Sequence, residues 1–302
     1  MRPEVVTGTS APPALVVQQE PAAQPDRFSQ PGQPGQPAQA DPRVQPAGVQ
    51  PVRAAAVVAY ALRLGDDALI AAQRLSEWAA RSPQLEEDVA LANIALDLLG
   101  QARLLLAYAG TLEGAGRDED DLAFLRDEPA FVNCQLVELD GGDFARTMAR
   151  LLLFSVWQRE LYRALAGSTD EVLAGVAAKA VKEVTYHVDH ARTWVLRLGD
   201  GTAESARRMQ AGLDELWPYG YELFEDDELT RELAAAGVGV LPSSLRTGWE
   251  HTVAAVVTEA TLVLPSTTWR PTGGRRGLHT EAFGYLLAEL QHLHRSHPGA
   301  TW

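Results

Sequence analysis

Apolar residues recur at three- and four-residue intervals along almost the whole chain from Arg53 onward, and no convincing run of alternating, strand-like positions interrupts them. The pattern predicts four long helices over 54–80, 84–109, 143–167 and 169–199. Shorter helices are expected over 121–139, 202–215, 226–236, 243–263 and 280–296, with PSTTWRPTGGRRG as a loop between the last two. Ser82-Pro83 reads as the start of the second long helix, and Glu86, Glu87 and Asp88 fall in its first turn, where the helix dipole favours anions. Gly141-Gly142 breaks the chain before the third, and LGDG closes the fourth. Two helical hairpins joined by one long connection over roughly 110–142 are the layout of an all-α, ferritin-like four-helix bundle, here with additional C-terminal helices. Other bundles share this pattern.

Residues 1–52 break it. They hold 11 of the 18 prolines, with QPGQPGQPAQ at their centre, and almost no aromatics. Such a segment buries too little apolar surface to offset the entropy of ordering, so a disordered Pro/Gln/Gly-rich tail is expected there and a ferritin-like helical domain over 53–302.

Charge and cysteine content remove several function classes. Forty acidic against 26 basic residues leave a formal charge of −14, a field that repels nucleic acid and anionic lipid. No run of about 18 uncharged apolar residues suggests a membrane span, and the first residues lack the apolar core of a secretory signal, so the cytoplasm is the default location. The single cysteine, Cys134, allows no intrachain disulfide and no cysteine-based cluster. VNCQLVEL reads as the apolar side of a helix, and no Gly-x-Ser-x-Gly elbow occurs. The glycines of PTGGRRG lack the context of a phosphate loop. Arg275 and Arg276 are therefore expected in a solvated loop, with the phosphates of an anionic ligand or a neighbouring subunit's acidic face as the alternative contacts.

The candidate chemistry is concentrated in KEVTYHVDH, Lys182 to His190. A di-iron bundle needs two single carboxylates and two Glu-x-x-His pairs facing inward from four helices. All seven histidines lie at or after position 187, so the first three long helices have none. Asp97 is followed at i+3 by Gly100, and Glu183 by Tyr186, with His187 only at i+4. A solvated helix edge, an internal hydrogen-bond network in place of a metal, and an intact metal site all remain readings of this stretch. The expectation adopted is a degenerate site with no metal and no catalytic residue, in which Asp97, Glu160, Glu183 and His187 form a buried polar network, because unpaired buried carboxylates are costly.

Longer blocks carry a resemblance. YALRLGDDALIAAQRLSEW, LEEDVALANIALDLLGQARLLLAYAG, GRDEDDLAFLRDE, KEVTYHVDHARTWVLRLGDGT, LWPY and TEAFGYLLAELQHLHRSHPGATW, in this order, resemble the C-subunit family (PaaC) of bacterial phenylacetyl-CoA epoxidases from about Val58 to Trp302. The resemblance implies a ferritin-like, non-catalytic structural subunit in aerobic phenylacetate degradation. It implies as partners a catalytic A subunit with the di-iron centre, a second copy of itself, a small B subunit, and a reductase carrying FAD and an iron–sulfur cluster. It implies no cofactor in this chain. Two rival functions stand beside it: a ferritin-like di-iron oxygenase using Glu183, His187, Asp97 and Glu160 as ligands, and a solitary bundle that binds an acyl-CoA.

Overall fold

The structure, a computed structural model, describes residues 51–300. The expected tail over 1–52 lies outside the described residues except for its last two positions, which open the first helix. The described chain is all-α, with no strand among the described residues. Ten helices follow in order: α1 (Pro51–Ser76), α2 (Leu85–Glu113), α3 (Glu119–Phe124), α4 (Gln135–Glu138), α5 (Phe144–Leu165), α6 (Glu171–Gly199), α7 (Ala203–Leu216), α8 (Glu228–Ala235), α9 (Arg246–Glu259) and α10 (Glu281–Ser296). α1 packs along α2, α5 along α6, and α2 lies against α6, which makes the ferritin-like bundle.

Local chemistry sets most helix starts. Asp143 opens α5 by accepting the Arg146 amide, and Asp170 opens α6 by accepting those of Val172 and Leu173. Asp118, Thr202 and Asp227 form reciprocal capping boxes on α3, α7 and α8. Ser82-Pro83 does not start α2. The helix begins at Leu85 after Gln84, and the Ser82 amide instead donates to Asp88, 3.1 Å away.

The apolar stripes read from the sequence face inward. Leu91, Ile94, Ala95, Leu98, Ala102 and Leu105 of α2 are buried, as are Leu173, Val176, Ala180, Val184, Ala191 and Val195 of α6. α5 shows no such stripe over most of its length, because only its last turns reach the surface. Every residue from Ala145 to Gln158 is buried, with α6, α7 and α9 packed on it. α2 is by length and composition apolar enough to cross a membrane, although nearly half of that window is buried within the bundle.

Two expectations about loops are corrected. Cys134 does not sit on a helix face; it precedes α4, wholly buried, and burial raises its thiol pKa well above normal. The segment containing Arg275 is not a solvated loop. It wedges between α1 and the 128–138 connection, closely enough that a Cβ on Gly274 would lie 2.2 Å from the Asn133 carbonyl oxygen. Gly277, at φ +73°, would likewise meet the Pro129 carbonyl at 2.2 Å, so both backbone approaches require glycine. Arg276 remains on the surface.

Candidate functional site: a polar seam through the bundle

Between α2, α5 and α6 the apolar core is interrupted by polar side chains that bond to one another. The Asp97 carboxylate lies 3.1 Å from Nε2 of His187, a ring with no solvent exposure. One helical turn on, Gln101 donates through Nε2 to Glu183 at 3.1 Å, and its Oε1 accepts from the Tyr162 hydroxyl at 3.1 Å. The Gln158 amide stands 3.5 Å from the same oxygen. Lys179 approaches Glu183 from the surface at 3.4 Å. One turn the other way, His190 Nε2 is 3.2 Å from the Glu87 carboxylate, and both side chains are nearly buried. That contact lacks hydrogen-bond geometry at either atom, so it is a close approach and not a directional bond.

Glu160 does not join this seam. It faces away, bound to Arg159 and Arg163 at 3.2 and 3.1 Å and packed beside Gly248. α5 presents instead Gln158 and Tyr162, which flank Glu160 in sequence and turn inward. Sequence periodicity placed Glu160 wrongly because α5 is buried on every side as far as Gln158, so no apolar stripe along the helix marks which way its polar residues turn.

Asp97 is not buried as expected: 36% of its side chain is exposed, so its pair with His187 reaches the surface at the carboxylate and is buried only at the ring. Burial lowers the His187 pKa, and the bond and charge of Asp97 offset this only in part. The neutral ring donates Nε2–H to Asp97 and leaves Nδ1, which has no partner, without a proton; protonation would bury an orphan N–H. Burial lowers the His190 pKa in the same way. Tyr162 is held protonated, its pKa pushed above the normal phenol range by burial.

A folded-state pKa below the unfolded value of about 6.5 means stability that is present above pH ~6.5 and is lost as pH falls toward the folded pKa. His187→Gln keeps a donor to Asp97 and removes this proton uptake. Chemical denaturation at pH 7.5 and 5 is expected to show the variant within about 1 kcal/mol of wild type at the higher pH and less acid-sensitive at the lower. An unchanged acid slope would show that His187 is not the group responsible.

Farther along α1, two adjacent aspartates are buried, each with its own arginine. Asp66 pairs with Arg126 and accepts the Val132 amide at 2.9 Å. Asp67 is bridged by both terminal nitrogens of Arg275, at 3.0 and 2.7 Å, and accepts the Cys134 amide at 2.8 Å. The Arg275 charge is thereby taken up inside the fold, which leaves it unavailable to a CoA phosphate. Sequence reasoning missed both aspartates. The available signal was GDD in an otherwise alanine- and leucine-rich helix, where two consecutive acids about 100° apart interrupt the apolar pattern.

Could this constellation hold two irons? The ferritin-like fold implies such a centre, and a carboxylate-rich donor set would fit it. The inner positions here carry the neutral Gln101, Gln158 and Tyr162, and Asp97 and Glu183 are already engaged by His187 and Gln101. Among the described residues no three His, Cys, Asp or Glu side chains converge as a metal ion needs. These residues do not fit a di-iron centre.

Residues 44–302 match the family described as phenylacetic acid catabolic protein. The chain belongs to that family. It is also 49% identical over 246 residues to the C subunit of the 1,2-phenylacetyl-CoA epoxidase from Escherichia coli (strain K12), a match covering 82% of this chain and 99% of that protein. Membership places this phenylacetic acid catabolic protein in phenylacetate catabolism, and its relative works as one subunit among several. The polar seam therefore belongs to a family member whose inner positions are occupied by side chains bonded to each other.

Proposed function

We propose that the chain is a non-catalytic structural subunit of a multicomponent 1,2-phenylacetyl-CoA epoxidase. It acts in the cytoplasm beside a catalytic A subunit that carries the di-iron centre, with a second copy of itself, a small B subunit, and a reductase bearing FAD and an iron–sulfur cluster. This chain itself holds no cofactor. The observation that carries the reading is the donor set of the seam: glutamines and a tyrosine stand among the acids, and Asp97 and Glu183 are bonded to His187 and Gln101.

Physically, the chain supplies rigidity. An oxygenase must hold a long acyl-CoA in a narrow geometry and keep water from reactive intermediates. A second bundle packed against the catalytic one restrains the helices that carry its ligands. Bonding its own interior acids to neighbouring side chains lets this bundle stay folded without metal.

Two measurements test this together. Iron per chain, assayed on protein expressed alone in iron-replete medium, is expected to be essentially nil. Turnover of phenylacetyl-CoA by the catalytic subunit with B subunit and reductase is expected to fall about tenfold or more, roughly 1.4 kcal/mol in barrier, when this chain is omitted. Two irons per chain would instead favour an oxygenase in its own right, and full turnover without the chain would remove the supporting role.

A further inference from the structure

Three arginines converge where the long connection between the two hairpins ends. Arg74 of α1 donates to the Glu138 carbonyl through Nε and Nη2, at 3.0 and 2.6 Å. Arg150 of α5 donates through Nη1 to the carbonyls of Leu139 and Asp140, the latter at 3.0 Å. Arg146, one turn earlier on α5, donates through its own Nη1 to the same Asp140 carbonyl. Three consecutive carbonyls after α4 therefore hold three guanidinium groups, and two of those groups stand side by side on one oxygen. All three arginines are at least nine-tenths buried.

Carbonyl oxygens satisfy N–H groups but bring no full negative charge. Arg74 has a carboxylate in Glu77 at 2.6 Å, and Arg146 has two, in Asp140 and Glu215, at 2.6 and 2.9 Å. The buried Glu138 carboxylate is taken by His279 and the Thr280 amide. Arg150 pairs with no carboxylate among the described residues; its listed acceptors are both backbone oxygens. Burial, and after it the charges of Arg146 and Arg74, push its pKa down to about 9. Two N–H groups of the α5 pair also have no acceptor in the protein, Arg150 Nη2 and Arg146 Nε, and both nitrogens are shielded from solvent.

We propose that Arg146 and Arg150 together bind a small inorganic anion, chloride, through these two N–H groups. Water could accept both bonds but would leave two like charges adjacent in the interior, where an uncompensated charge is costly. A monatomic anion accepts both bonds and supplies the charge that Arg150 lacks, and bonds between ionised groups are the stronger kind. The shielding of both nitrogens favours a monatomic ion over phosphate or a carboxylate. Bound there, chloride ties the first turns of α5 to residues 139 and 140, and through Arg74 to α1. The site is separate from the polar seam and does not depend on the subunit reading.

The test uses the full-length chain. Thermal unfolding is followed at fixed ionic strength while sodium gluconate is exchanged for sodium chloride. Tm is expected to rise and then level off, gaining about 3 °C or more once chloride exceeds its dissociation constant tenfold. Arg150→Met keeps much of the volume and removes the charge and its donors. It is expected to stay helical by circular dichroism, with a Tm that no longer responds to chloride. The chloride NMR line should be broadened by wild-type protein and sharpened again by added bromide, a readout that holds even if the variant does not fold. A Tm set by ionic strength alone overturns the proposal, as does an equal chloride response in Arg150→Met. An unbroadened chloride line also overturns it, by assigning the two N–H groups to water.

Discussion

Replacing Arg275 by alanine is expected to lower the unfolding free energy by about 3–5 kcal/mol, the cost of leaving one partner of a buried ion pair alone. The Asp67 side chain is 1% exposed and the Arg275 side chain only 15%, so screening by water is slight. Arg275 also donates to the Val132 carbonyl at 3.0 Å, and its guanidinium lies 6.0 Å from the centre of the Trp157 ring. These contacts tie the segment after α9 to α1 and to the connection before α4. For a chain of this size each kcal/mol corresponds to about 2–4 °C, which gives a fall in Tm of roughly 10 °C. The double variant Asp67→Asn with Arg275→Met should recover much of the loss, since it removes both charges and keeps the volume. A single-variant Tm within about 2 °C of wild type would mean that the pair is solvated.

His279 is expected to give stability a pH dependence of the opposite sign to that of His187. Its Nδ1 is 2.6 Å from the Glu138 carboxylate, and its Nε2 is 3.0 Å from the carbonyl oxygen of Phe131. A carbonyl only accepts, so Nε2 carries a proton, and with the carboxylate on the other side the ring is held as imidazolium. Burial lowers its pKa, but the bond and charge of Glu138 and the Phe131 carbonyl together outweigh burial, and the pKa is raised. A folded value above the unfolded one contributes stability in full below pH ~6.5 and loses it as pH rises through the folded pKa. His279→Gln leaves the wholly buried Glu138 without its cation, so a loss of about 3–5 kcal/mol is expected near pH 6. Urea denaturation from pH 5.5 to 9 should show the gap between wild type and variant closing as pH rises. A gap that stays constant would mean that the ring is neutral throughout.

The long helices were legible in the sequence because each repeats an apolar stripe over many turns, and 3.6-residue periodicity is a local property. Three of the four network candidates, Asp97, Glu183 and His187, could be located because α2 and α6 have one wet side and one dry side against which a polar residue can be placed. Glu160 could not be placed in the same way. Other helices cover α5 on every side as far as Gln158, so no stripe along the helix marks an inward direction, and packing distinguishes Gln158 and Tyr162 from Glu160. Family membership was also readable from long ordered blocks, and the absence of histidine before position 187 already weighed against paired Glu-x-x-His motifs.

Tertiary structure alone decided the rest. PTGGRRG reads as a polar loop, and nothing local says that its glycines admit two backbone carbonyls or that Arg275 crosses to Asp67, 208 residues earlier. Nor does Glu138 announce a partner 141 residues later in His279. Burying such ions is unfavourable for each residue taken singly and becomes tolerable only when its partner arrives. The sequence by itself therefore determined where the helices run and which histidines are missing. The folded chain determined which charges are interior, because their pairing depends on distant segments meeting.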